Sequence, residues 1–141
     1  MDRRIPLVVV GLGNVLFGDD GAGVAAIARL RAVWRFPEGV EVLDGGTLGL
    51  SLLPWLRAAD RAVLVDAVAA DLAPGSLVRL IGSEIPTTVL GRLSPHQVGV
   101  ADLLGSWQLC GGDLDRLVVL GVVPERLELG PGLSPAVLAA M

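Results

Sequence analysis

The chain predicts an α/β fold built on a mostly parallel sheet of about five strands flanked by helices. Three observations predict it. Runs such as Val8-Val9-Val10 and Ala62-Val63-Leu64-Val65 are continuously apolar, as in parallel strands buried on both faces. Segments with apolar residues at helical spacing separate those runs. Glycine-rich turns follow the first two strands, where open parallel sheets bind their ligands.

Ile5 to Val10 is the first strand. Gly21 to Trp34 follows as a helix with Val24, Ile27, Ala28 and Leu30 on its apolar face, and Phe36-Pro37-Glu38-Gly39 breaks it. Val40 to Leu43 is a short strand closed by the turn Asp44-Gly45-Gly46. Leu48 to Ala58 is helical, with Pro54 as a bend or boundary. Arg61 to Val65 is the third strand, and Asp66 stands at its end. After the Pro74-Gly75 turn, Ser76 to Ile81 alternates and reads as an antiparallel edge strand. Ser94 caps and Pro95 starts a helix running to about Cys110, which Gly111-Gly112 closes. Arg116 to Val122 is the last long strand, ended by Pro124. Ser134-Pro135 opens a final helix by the same Ser-Pro device.

The 141 residues fit a single domain spanning 1–141. Hydrophobic residues make up 52% and mean hydropathy is +0.67, values compatible with either a membrane span or a large core. The longest uncharged stretch, Ile5 to Gly18, is broken by glycines and an asparagine and falls short of the ~20 apolar residues a bilayer requires. Membrane insertion is therefore not expected. The N-terminus carries no secretory cleavage pattern, and Cys110, the only cysteine, has no partner for an internal disulfide; both point to the cytoplasm. Net charge is −4, and the eleven basic residues, all arginine, are scattered, so no nucleic-acid footprint exists.

The chemistry concentrates where the first and third strands end. Asp19 and Asp20 follow the first strand, and Asp66 ends the third. Neighbouring strands would set Asp20 and Asp66 facing each other across the crevice. His96, at a helix start, approaches from the same side. Two carboxylates and an imidazole suit a borderline divalent ion such as nickel or zinc, with a coordination position left for a substrate group. Bland readings compete. Asp19 or Asp20 would also cap the helix at Gly21, where an acid gains from the helix dipole. Asp66 has no such excuse, because an acid ending so apolar a strand is costly unless paired or liganded. A lone histidine is commonly a cap or a surface residue. Cys110, among Leu103, Leu104 and Leu109, reads as a small buried hydrophobe. The dinucleotide fingerprint fails, since Leu16 stands where its third glycine belongs. No nucleophile-elbow serine exists, and Ser51, Ser76, Ser83 and Ser106 have no His or Asp at a telling spacing.

Four motifs in order resemble one family. Gly11-Leu-Gly-Asn14-x-Leu16-x-x-Asp19-Asp20-Gly21-x-Gly23 is similar to the N-terminal signature of the hydrogenase maturation endopeptidases. Asp44-Gly45-Gly46-Thr47-x-Gly49, Val65-Asp66-Ala67 and Ser94-Pro95-His96-Gln97 resemble their second, third and fourth motifs, and the Ser-Pro-His-Gln form resembles the branch serving uptake-type nickel–iron hydrogenases. Pro74-Gly75 and Gly121-Val122-x-Pro124-Glu125 fit as well. The resemblance implies a three-layer sandwich, a twisted and mainly parallel sheet between helices. It implies an aspartyl-type endopeptidase that cuts a C-terminal extension from the precursor of a hydrogenase large subunit after nickel insertion. It implies Asp20, Asp66 and His96 as the catalytic and metal-contacting trio, with nickel carried by the substrate rather than held by this chain, although other divalent ions could occupy the site. Members of the family continue past the Ser134-Pro135 region through a longer terminal helix, which implies exposed apolar surface where that helix would pack. Two rival classes are a nickel-binding chaperone without peptidase activity, which predicts tight metal binding, and a nucleotide-binding regulatory domain, which predicts stabilisation by a dinucleotide.

Overall fold

The computed structural model describes residues 3–85 and 98–141, with backbone only at 98–101. The five strands are β1 (Ile5–Leu12), β2 (Val40–Gly46), β3 (Ala59–Ala67), β4 (Leu77–Ile81) and β5 (Leu117–Val122). They form one sheet in the order β2-β1-β3-β5-β4. β1, β2, β3 and β5 run parallel, and β4 pairs antiparallel with β5 at the far edge, as its alternation predicts. The helices are α1 (Ala22–Val33), α2 (Leu53–Ala58), α3 (Val98–Leu109) and α4 (Pro135–Ala140).

Two faces of the sheet are covered, giving three layers. On one face, Val8, Val10, Leu64 and Val119 pack with Leu56 of α2 and Leu103, Leu104 and Trp107 of α3. α1 crosses the other face, over β1, β3 and β2. Its buried residues are Ala22, Gly23 and Ile27, while Ala28 is exposed, contrary to the apolar face expected from the sequence. The reason is distance of approach. A Cβ on Gly23 would lie 2.1 Å from the Val65 carbonyl oxygen and 2.4 Å from that of Leu12, so α1 rests its first turn directly on the sheet backbone. A stripe set by large side chains is not needed there. Arg31 donates to the Val42 carbonyl and so ties α1 to the outer strand β2.

Several boundaries differ from the sequence reading. Asp44-Gly45-Gly46 is not a turn; β2 runs through Gly46, which pairs with Leu12 across a register shift after Gly11. The shift absorbs the extra residue, as a β-bulge does, and leaves both strands extended. Asp66 lies inside β3, which continues to Ala67. Pro54 is a boundary: a 3-10 turn over Gly49–Leu52 gives way to α2, with Pro54 in its first turn. Cys110 is exposed, one residue beyond α3, because the chain leaves the helix there through Gly111 at φ 91°. Ser134 caps α4 as expected, its Oγ accepting from Val137 N at 3.4 Å. An apolar groove of about 520 Å³ lies between α1, β4, β5 and Met141, with Trp34 and Leu77 largely exposed on it. Among the described residues, no helix is long and apolar enough to cross a membrane.

Gly23→Ala is predicted to cost at least about 2 kcal/mol, since the new methyl group meets backbone that cannot move aside. Urea denaturation checks this.

Candidate active site

The site begins with the path of the chain out of β1. Gly13 has φ 129°, and a Cβ there would lie 1.8 Å from the Asp20 carbonyl oxygen and 3.3 Å from Asp66 Oδ1. Only glycine fits both the backbone conformation and the space. The empty volume beside it is what lets the Asp20 segment and the β3 acid approach the same point. Gly13 N donates to the Gly46 carbonyl at 3.0 Å, which joins this loop to the end of β2. Asn14 Oδ1 accepts from Leu16 N at 3.0 Å and turns the chain back toward the sheet.

Asp20 follows in a 3-10 turn over Gly18–Gly21. It is 1% exposed. Its Oδ2 accepts from Asn14 N at 2.9 Å. Its Oδ1 is buried with no hydrogen-bond partner among the described residues. The helix-cap reading therefore fails: the N-cap of α1 is Gly21, and no side chain caps that end. A buried carboxylate oxygen without a donor costs several kcal/mol, a cost kept where something else supplies the partner. Asp66 is 6% exposed, and its Oδ1 accepts from Ala67 N at 2.7 Å. β1 and β3 are neighbours, with Gly11 opposite Val65, so the two acids share the carboxyl rim of the sheet as expected.

His96 and the Ser94-Pro95-His96-Gln97 motif lie outside the described residues. Among the described residues, no group of three His, Cys, Asp or Glu side chains could hold a metal ion. What the rim does offer is an all-oxygen donor pair with one unsatisfied buried oxygen, chemistry that fits a divalent cation or a group carrying one.

Asp19 is the residue the sequence reading placed wrongly. It is fully buried and caps no helix. Its carboxylate faces the segment from Glu125 to Ser134, more than a hundred residues away in sequence. Oδ2 accepts from Glu125 N at 2.9 Å, Arg126 N at 3.0 Å and Ser134 Oγ at 2.8 Å, and Oδ1 accepts from Ser134 N at 2.7 Å. Burial raises its pKa, but the donors from Ser134, Arg126 and Glu125 outweigh it, and the carboxyl is held below its ordinary value. No local pattern in the sequence announces that contact.

The fold and rim define a class, an α/β protein with acids at the carboxyl edge of a parallel sheet, and the comparisons place the chain within it. The model of a family described as hydrogenase maturation protease matches residues 24–141. The chain belongs to the hydrogenase maturation protease family, whose role is processing of the hydrogenase large subunit. It is 37% identical over 134 residues to the hydrogenase 2 maturation protease of Escherichia coli (strain K12), an alignment covering 94% of this chain and 82% of that protein. It is 38% identical to the hydrogenase expression/formation protein HupD of Rhodobacter capsulatus over 133 residues, 93% of this chain and 63% of that one. The chain thus spans less than two thirds of that longer relative. The solved structure of the E. coli hydrogenase maturating endopeptidase HybD matches with a TM-score of 0.87 at 37% identity, covering 95% of this chain and 83% of that one.

Because the folded pKa of Asp19 is depressed, its contribution to stability is present above the ordinary carboxylate value of about 4 and is lost as pH falls below it. Asp19→Ala is predicted to cost about 3 kcal/mol at neutral pH, by stranding four donors. It should also flatten the acid limb of stability measured by urea denaturation between about pH 5 and pH 2.

Proposed function

We propose that this chain is an endopeptidase that removes a C-terminal extension from the nickel-loaded precursor of a nickel–iron hydrogenase large subunit, and that Asp20, Asp66 and His96 meet the metal the substrate carries. The observation that supports this most is the buried Asp20 Oδ1, without a hydrogen-bond partner among the described residues and set on the same rim as Asp66. Membership of the maturation protease family supplies the reaction class.

Nickel enters as part of the substrate. The rim has hard oxygen donors and no thiolate, since Cys110 is exposed beyond the end of α3, so a firm resident nickel site is not expected. Recognition then works by a missing ligand. Without metal, two neighbouring carboxylates repel acidic substrate groups and leave Asp20 Oδ1 unpaired; a metal-bearing precursor relieves both. Docking in this way sets the adjoining peptide bond beside the carboxylates. Two routes to hydrolysis are open to these residues. Asp20 or Asp66 takes a proton from the attacking water as general base, or the substrate's own metal polarises the carbonyl or the water. A single cysteine, with no partner for an internal disulfide, is in keeping with a cytoplasmic chain.

Incubation with nickel-loaded and nickel-free precursor, followed by mass measurement, tests the reading. Cleavage of the loaded form alone is expected, and equal cleavage of both would overturn metal recognition. Tight nickel binding by the isolated chain without cleavage would favour the chaperone alternative.

Asp20→Asn separates function from folding. The amide oxygen can still accept from Asn14 N, and the buried charge is gone. Stability in urea is predicted to stay level or rise by about 1 kcal/mol. Cleavage of loaded precursor should fall at least about a hundredfold, and His96→Ala should also abolish most processing; undiminished cleavage by either variant would remove that residue from the site.

A further inference from the structure

The stretch from Glu125 to Ser134 contains no helix or strand of its own, yet it is fastened to the loop that presents Asp20. Gly18 N donates to the Gly130 carbonyl at 2.9 Å, Gly130 N to the Leu16 carbonyl at 2.7 Å, and Asp19 N to the Arg126 carbonyl at 2.8 Å. Phe17 and Gly130 form an isolated parallel bridge. The four bonds to the Asp19 carboxylate complete the attachment. Outward, the same stretch is largely exposed: Glu125, Arg126, Glu128, Leu129, Pro131 and Gly132 all face solvent. It is a strap whose main inward anchor is one buried side chain.

We propose that Asp19 and Ser134 are positioning residues for the reaction: they latch the strap onto the Leu16–Asp19 loop and thereby fix where the open carboxylate oxygen of Asp20 points. The inference rests on the reading that Asp20 contacts the substrate-borne metal. Asp20 is joined to the loop through its own N–H, which donates to the Phe17 carbonyl at 3.1 Å, and its carbonyl is packed against Gly13. An aspartate side chain is short, so a shift of the loop backbone moves the carboxylate by a similar distance. A misplacement of about 1 Å costs on the order of a hundredfold in rate.

The latch must be an acid. Both oxygens of Asp19 act as acceptors, one from Ser134 N and the other from two further backbone N–H groups and a hydroxyl. An asparagine in either orientation sets its NH₂ against at least one backbone N–H. Ser134 serves twice, donating Oγ–H to Asp19 while accepting from Val137 N, so the latch also fixes the first turn of α4.

The test uses Asp19→Asn, Ser134→Ala, Ser134→Thr (which keeps the hydroxyl) and, as a control of similar lost stability, Val119→Ala in the core of the sheet. Two quantities are read well below each variant's melting temperature. One is hydrogen exchange at the Asn14 amide, which is bonded to Asp20 Oδ2. The other is kcat/KM on nickel-loaded large-subunit precursor. Asp19→Asn is expected to raise Asn14 exchange and lower kcat/KM by about tenfold or more. Ser134→Ala should do both more weakly, Ser134→Thr should restore both, and Val119→Ala should change neither. Asp19→Asn or Ser134→Ala behaving like Val119→Ala would overturn the proposal. If wild-type protein leaves the precursor uncut, the functional reading fails while the exchange measurement still decides the latch. If Asp19→Asn does not fold, the serine pair decides it.

Discussion

Two adjacent carboxylates are withdrawn from water at the head of α1, and among the described residues the fold compensates only one of them. Asp19 receives four donors, and Asp20 receives one. Charge-assisted hydrogen bonds are worth roughly 1.5–3 kcal/mol each, so a carboxylate with four of them repays its desolvation and one with an empty oxygen does not. Chemically identical neighbours thereby take opposite roles. The first holds the loop, and the second stands at the rim of the sheet with one oxygen that has no partner among the described residues.

That division depends on backbone approach rather than on side-chain packing. Gly23 lets α1 lie on the Leu12 and Val65 carbonyls, and Gly13 leaves room between the Asp20 segment and the Asp66 carboxylate. Both glycines act by what they omit. A helix that starts this close to the strand ends carries the turn before it into the crevice, and Asp20 goes in with that turn.

Much of this was legible in the chain. Strands buried on both faces announce themselves as continuous apolar runs, so all five strands and the antiparallel edge were found within a few residues. The placement of Asp20 and Asp66 at one rim follows from β1 lying beside β3. Asp44-Gly45-Gly46 has turn composition, but a register shift against β1 keeps it in the sheet. The apolar neighbours of Ala28 and Cys110 in sequence predict burial, yet the sheet accepts α1 mainly along its glycine-bearing turn, and α3 ends before Cys110. The local sequence points to a helix cap at Asp19, because its true partners sit in another part of the chain. Cys110 is exposed by a local helix end, and in the other cases a tertiary contact overrides a sound local signal.

The Asp19 contact also gives a structural reason for the second acid of the motif. Placing Asp20 in a buried turn, with an oxygen that has no partner among the described residues, is unfavourable, and the turn would relax toward solvent unless something held it. A neutral residue at position 19 could not gather three backbone N–H groups and a hydroxyl from the strap. A charged one can, and its attraction for those donors grows in the same low-dielectric surroundings that penalise Asp20. The burial that penalises Asp20 is therefore the burial that makes Asp19 an effective anchor, and the turn holds the two acids together.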